Sequence, residues 1–283
     1  MIVTKRGAGV WVKQIFAYGF LSIIAFTMII PFIWMVTTSL KLSGTEFSYP
    51  PEIIPREFHF ENYVKLFTLV PFFRYFINTL IVTIFTVSGQ LAICALSAYA
   101  FARLNFMGRN IIFLLYLATM MIPWQITLIP LYLIVYKLGW VNTYIGLIVP
   151  GLSNVFGIFL LRQSFLGTPA EYQEAARIDG ASEFHIFGRI FIPLNQAAVL
   201  TLGVFTFMGV WTDLLWPVLM SRSQNMRTLE VGLAYFNSSV STFTQTNWPI
   251  MMSAAVTVML PVIIVYFFTQ KYYVEGISMT GIK

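Results

Sequence analysis

Six stretches of this chain are apolar on every face, and polar residues come in short bursts between them. A helix crossing a bilayer needs ~20 consecutive mostly apolar residues. Runs of that kind extend from about Gln14 to Val36, Tyr75 to Phe101, Ile111 to Val135, Tyr144 to Leu161, Leu194 to Met220 and Pro249 to Thr269. Runs of this length and apolarity predict transmembrane helices. The first run is too long, and too weakly marked by a small-residue cleavage site, for a removable signal peptide. Pro123, Pro130 and Pro150 lie in or near the third and fourth runs. Internal proline frees a carbonyl and bends a helix, which a bundle tolerates where neighbours or cavity water satisfy the backbone. Packing kinks and pathway lining are both open readings of these three.

Composition sharpens this pattern. Hydrophobic residues make up 58% of the 283, charged residues 10%, and the mean hydropathy is +0.78. A soluble domain carries roughly 25% charged residues, so this chain could not cover its own surface in water. The net charge of +6 could suggest nucleic acid, but the basic residues stand singly between apolar runs rather than in a patch. Membrane topology accounts for them better. With the N-terminus inside, ten of the seventeen Lys and Arg fall on the cytoplasmic side. The short elements decide the matter: Lys5, Arg6 and Lys13 before the first run, and Arg103 with Arg109 after the second. Both termini are then cytoplasmic, in a bacterial or archaeal plasma membrane, and the chain reads as one membrane domain over 1–283.

Enzyme chemistry finds little support. There is no phosphate-binding loop, no zinc-protease motif and no nucleophile elbow. Cys94 is the single cysteine, so it forms no internal disulfide and reads as a packing residue. His59 and His185 fall in loops on opposite sides of the expected membrane and cannot share a site. No metal site and no cofactor are expected in this chain.

The informative segment is the expected cytoplasmic loop Arg162 to Pro193, between the fourth and fifth runs. It reads as two short helices. Thr168, Pro169, Ala170 and Glu171 form a capping-box pattern with proline at the first helical position. Tyr172, Ala175, Ala176 and Asp179 then share one face by spacing, and Gly180 suits a left-handed helix end. Ser182 can cap a second helix, along which Phe184, Phe187 and Phe191 recur beside Ile186 and Ile190. On physical grounds alone this could be a helix pair lying on the membrane surface.

The order Glu174-Ala175-Ala176, Gly180, Ile190, Ile192-Pro193 resembles the EAA signature of the permease subunits of ATP-binding-cassette importers. Two positions depart from that pattern: Ile192 stands for a leucine, and Ala197 for a further proline common in sugar members. The segments 157–163, 177–182 and 211–217, and the tail Val274-Glu275-Gly276, are similar to carbohydrate permeases of the maltose-type group. The likeness is to the six-span second permease of the pair. It implies an all-α membrane protein of six transmembrane helices with a cytoplasmic two-helix coupling loop. It also implies partners: a second permease, two ATPase subunits that bind ATP and Mg, an external solute-binding protein, and a carbohydrate substrate. Tyr172, Glu174, Ala175, Ala176, Asp179 and Gly180 would then couple to the ATPase, with Glu174 facing a basic group there.

The pathway is less legible. Asp213 is a carboxylate within an expected span, which points to function, yet it lies roughly 30 Å along the helix from Leu194 at ~1.5 Å per residue. Gate and interfacial readings both remain. Trp211 and Trp216 suit sugar stacking or, as the stronger reading, anchoring at the outer interface. Asn154, Gln125 and Asn78 are lining candidates that could equally bond a neighbouring helix. The polar stretch 221–247 is expected outside, either meeting the binding protein or simply solvated. The rival readings are an importer of polyol phosphates, amino acids or peptides and, further off, an ion-coupled carrier, for which inverted repeats are wanting.

Overall fold

The computed structural model describes residues 8–50, 52–240 and 247–278, with side chains over 13–50, 52–235 and 247–270. Lys5, Arg6 and Lys283, and the side chains of Lys271 and the 274–276 tail, lie outside the described residues. Every regular element among the described residues is helical. In chain order they are α1 (Ala8–Ser39), α2 (Glu61–Leu69), α3 (Phe72–Arg103), α4 (Arg109–Ala118), α5 (Trp124–Lys137), α6 (Tyr144–Ile148) and α7 (Val155–Gly167). Then follow α8 (Glu171–Ile178), α9 (Glu183–Ile186), α10 (Ile192–Leu194), α11 (Gln196–Trp211), α12 (Leu215–Met220), α13 (Leu229–Val240) and α14 (Trp248–Ser278).

Among the described residues, three single helices are long and apolar enough to cross a membrane: Lys13–Ser39, Phe72–Arg103 and Trp248–Gln270. Three more spans form only if bent pairs are taken together. The expected six are thus present, but three of them are not the continuous helices that the sequence suggests. The third breaks by 102° between Met121 and Trp124. Pro123 causes this: the residue before a proline is pushed out of the helical region, and Ile122 is extended at φ −87°, ψ 115°. Pro130, by contrast, is carried inside α5. The fourth bends by 43° at the turn that holds Pro150, then runs on to Gly167, six residues beyond Leu161. The expected fifth span ends at Trp211, and α12 starts afresh at Leu215. Asp213 lies in that break, so it is not a residue within a helix.

The chain divides into two compact units, 1–70 with 236–257, and 71–235 with 258–283. In the first, Asn62 Nδ2 donates to the carbonyls of Ser39 and Lys41, both at 2.9 Å, and Ser39 Oγ meets Tyr63 OH at 2.8 Å. These bonds tie α2 to the end of α1. Among the described residues, the most apolar stretch of α1 has no buried position.

The second unit holds the core. Cys94, Ala95 and Ala98 of α3, Ile158, Leu161 and Phe165 of α7, and Leu202 of α11 form one buried cluster. Lipid tails are as apolar as these side chains, so close packing and polar links hold the helices together. A Cβ on Gly157 would stand 2.9 Å from Leu202 and 3.0 Å from Cys94 Sγ. Gly157 is what lets α7 approach. Gln90 supplies the polar link: its Nε2 donates to the Gly151 carbonyl at 2.8 Å, and its Oε1 accepts from the Thr206 hydroxyl.

Candidate functional site

The loop after α7 is fixed before it begins. The Arg103 guanidinium donates to the carbonyls of Phe165 and Thr168, closing the end of α7. Thr168 bonds Asn195 instead of capping the next helix: Asn195 Nδ2 donates to Thr168 Oγ1 at 3.0 Å. The expected capping box is therefore not formed. The helix α8 starts at Glu171, after a turn from Ala170, and Pro169 precedes it.

Along α8 the residues divide by direction. Gln173 and Ala176 are buried, while Tyr172, Glu174, Ala175 and Ile178 are exposed, Ile178 by 86%. The face expected from spacing is thus split: Tyr172, Ala175 and Asp179 look outward, and Ala176 packs into the core. Among the described residues Glu174 has no ion-pair partner in its own chain. The helix closes in a Schellman arrangement, with Ala181 N–H to Ala176 O at 2.9 Å and Gly180 N–H to Arg177 O at 3.0 Å. Gly180 takes φ +79°, the left-handed region, and a Cβ there would meet nothing within 4 Å. Conformation, and no contact within the chain, demands this glycine.

Glu183 ties the loop to the bundle. Its carboxylate accepts from Tyr99 OH of α3 at 2.7 Å and from Arg177 at 2.7 and 2.8 Å, and lies 3.4 Å from Gln173 Nε2. Burial pushes this carboxyl up, but the bonds from Tyr99 and Arg177, the Arg177 charge and Gln173 outweigh it and leave the group below its usual range. Tyr99 is 4% exposed, its ring packed on Phe165, Phe187 and Phe191. The second helix starts at Ser182, whose Oγ accepts from His185 N–H at 3.4 Å. A π turn over 187–191 then shifts the register. Phe184 is consequently 79% exposed while Phe191 is fully buried, so the expected phenylalanine stripe is not one face. Sequence reasoning singled out Arg177 only within a motif and missed Tyr99, Gln173 and Glu183 altogether.

A second feature is a cavity of about 200 Å³ between α3, α5, α6, α11 and α12. Asp213 and Trp216 line it; Trp211, Asn154, Gln125 and Asn78 do not. Trp211 and Trp216 are 1% and 8% exposed, and their indole N–H groups donate to the carbonyls of Val258 and Gly146. Neither anchors at an interface; both brace helices. Asn78 is fully buried, donates to the carbonyls of Asn225 and Arg227 and accepts from Tyr144 OH. Asn154 caps α7 through Gly157 N–H at 2.9 Å. Gln125 is exposed. Asp213 stands in the break between α11 and α12, two residues ahead of Leu215. The 221–247 stretch is not a plain loop: Leu229 N–H donates to Thr79 Oγ1 at 2.8 Å and starts α13 against α3, while residues 241–246 lie outside the described residues.

The fold is thus an all-helical bundle with broken spans, carrying a short helix whose Glu174 and Ala175 face outward while Ala176 packs inward. The family described as binding-protein-dependent transport system inner membrane component matches residues 90–278. The chain belongs to that family, as its EAA signature led us to expect. The arabinooligosaccharides transport system permease protein AraQ of Bacillus subtilis is 35% identical over 82% of each chain, and its counterpart in Halalkalibacterium halodurans is 31% identical over 99% of each. An sn-glycerol-3-phosphate transport system permease protein of Rhizobium meliloti is 31% identical over 93% of this chain and 95% of its own. Among solved structures, a bacterial ABC transporter involved in alginate import superposes with a TM-score of 0.85. It covers 94% of this chain and 98% of its own, at 24% identity, and shows the same fold.

Proposed function

We propose that this chain is the second permease of an ATP-driven importer for a sugar or short oligosaccharide. It pairs with a different permease and takes solute from an external binding protein. The observation that carries the reading is the division of α8. Its Tyr172, Glu174, Ala175, Ile178 and Asp179 side stands free, while Gln173, Ala176 and the Glu183 bonds hold the other side to α3. A helix built to be pushed needs one open face and one fixed face. The open face seats in a cleft of an ATPase subunit, where Glu174 meets a basic group. ATP and Mg belong to that subunit, and this chain supplies the lever. Both termini lie on the cytoplasmic side with the loop.

The sugar assignment is supported by the arabinooligosaccharide relatives and by the cavity chemistry. The glycerol-phosphate relative offers a second substrate class. The cavity, however, holds a carboxylate and no Lys or Arg, a poor setting for a phosphate. The test is ATP-dependent uptake into vesicles carrying this chain with its co-purified partners, using radiolabelled arabinotriose and sn-glycerol 3-phosphate as probes. Native complex should take up the arabinotriose, and Glu174→Lys should lose uptake while the spans stay folded. Uptake by this chain alone, driven by an ion gradient and indifferent to the substitution, would sink the proposal.

A further inference from the structure

Three arginines gather at the end of the bundle that carries α8. Arg103 closes α3, Arg109 opens α4 across the turn 104–108, and Arg162 stands in α7. None of the three makes an ion pair among the described residues. Arg103 is occupied by the fold: it donates to the Phe165 and Thr168 carbonyls and lies over the Phe191 ring at 4.8 Å. The other two are not. Arg162 Nε donates to the Phe101 carbonyl at 3.2 Å, and its guanidinium stacks on Phe113 at 4.1 Å. Arg109 Nη1 donates to the Leu104 carbonyl at 3.0 Å and to Asn105 Oδ1 at 3.2 Å. A guanidinium has five N–H donors, so each keeps most of its own.

These two charges are neighbours. Phe113 follows Arg109 by four residues on α4, so their side chains share a face one turn apart, and Arg162 sits on that phenylalanine. Two like charges side by side, with no carboxylate paired to either, attract an anion. Phosphate suits them, because the guanidinium fork matches its oxygens in pairs. Beside Arg109 the turn opens a cleft of about 410 Å³, lined also by Asn105, Phe106, Gly108, Asn110 and Ile111. The surroundings of the cleft distinguish a lipid from a soluble ion. Phe106, Met107 and, further along α4, Ile111, Leu114 and Leu115 are all exposed, Met107 by 97%. A polar cleft that runs on into an exposed apolar helix wall suits an amphiphile, with a charged head at one end and acyl chains along the other. Basic pockets between membrane helices bind anionic headgroups in this way. We propose that Arg109 and Arg162 hold the phosphate of an anionic phospholipid from the leaflet on the α8 side, its acyl chains lying along the exposed wall of α4. The site does not depend on which solute is carried.

The test maps the contact directly. The full complex is placed in phosphatidylcholine vesicles with a trace of photoactivatable phosphatidylglycerol or, in parallel, of phosphatidylcholine carrying the same reactive group. After illumination, capture on the segment 104–116 is measured by mass spectrometry per assembled complex. Each basic residue at an anionic headgroup gives about a fivefold preference. Wild type should therefore capture phosphatidylglycerol at least about fivefold more than phosphatidylcholine, a comparison that needs no variant. Arg109→Gln should lower phosphatidylglycerol capture about fivefold, and Arg109→Lys, which keeps the charge, should stay within about twofold of wild type. Arg189→Gln is the control: Arg189 is exposed in the π turn and lies outside the cleft, so capture is unchanged. Sodium phosphate, compared with chloride at the same ionic strength, should not compete. Equal capture of the two lipids, or a loss in Arg189→Gln as large as in Arg109→Gln, overturns the site and leaves only diffuse surface charge. Capture abolished by inorganic phosphate also overturns it, because the arginines then serve a soluble anion.

Discussion

At the scale of single residues, Gly180 and Asn78 show how differently two conspicuous positions can work. Gly180 holds φ +79° with open space around its missing side chain. A β-branched residue there would cost about 1–2 kcal/mol from backbone strain, whereas Asn tolerates the left-handed region. Gly180→Val should therefore lower the melting temperature slightly and uptake strongly, while Gly180→Asn keeps both, as measured by thermal unfolding and vesicle uptake. Loss of uptake in the Asn variant at unchanged stability would show that a partner surface, rather than conformation, demands the glycine. Asn78 is a fastener. It bonds two carbonyls of the 225–227 segment and the Tyr144 hydroxyl in full burial. Asn78→Leu leaves them unsatisfied and should destabilise by about 1–3 kcal/mol, read as an earlier melt with the KM for solute unchanged. The sequence shows Asn78 as a polar residue in a span and no more. Its partners lie 66 to 149 residues away, beyond the reach of any local pattern.

At the scale of elements, the two-helix loop was legible because its signals are local: a helix of mixed character, a glycine stop, a serine cap. The details that failed were those settled by distant competitors. Thr168 forgoes the box with Glu171 because Asn195, 27 residues on, is the better partner. Tyr99 is invisible as a functional residue because Glu183 lies 84 residues away. That bond gives a sharp prediction. Tyr99→Phe preserves the aromatic packing and removes about 1.5 kcal/mol, the low end for a bond to a charge, since the Glu183 side chain is 40% exposed. ATPase activity should persist in the reconstituted complex while uptake per ATP falls; equal loss of both would contradict the latch. The pH dependence follows from the lowered Glu183 carboxyl. A carboxyl depressed in the folded state stabilises above its unfolded value, and loses that contribution as pH falls through its folded value. Amide exchange over 171–186, corrected for its intrinsic pH dependence, should therefore loosen only on the acid side of the ordinary glutamate range. Glu183→Gln should flatten that response.

At the scale of the molecule, six spans and a membrane setting follow from hydropathy, but their straightness does not. Proline marks a place where a helix can break without saying whether it will: Pro123 breaks one and Pro130 is absorbed in another. Asp213 lies between the end of α11 and the start of α12, a break that a run of apolar residues conceals. The exposure of α1 along its apolar run fits a helix that meets lipid. The proposed orientation gives a further expectation. Single cysteines placed at Lys13 and Asp179 should react only with reagents on the cytoplasmic side, and at Lys137 and Arg222 only from outside. Labelling of positions 13 and 222 from the same side would refute the topology.

The 81° bend at Asn195 has a mechanical meaning. It joins the segment Glu183–Leu194 to Gln196–Trp211, and Asn195 is pinned there by Ser164, Thr168 and Phe191. A corner with a fixed pivot acts as a bell crank: displacement along one arm emerges from the other turned through the angle between them. In the coupling proposed above, a push on α8 has two exits. The Tyr99 bond carries it directly to α3, and the crank redirects it along α11 toward the break at Asp213. One input stroke delivers two outputs in different directions, which is what parting two walls of a closed passage requires.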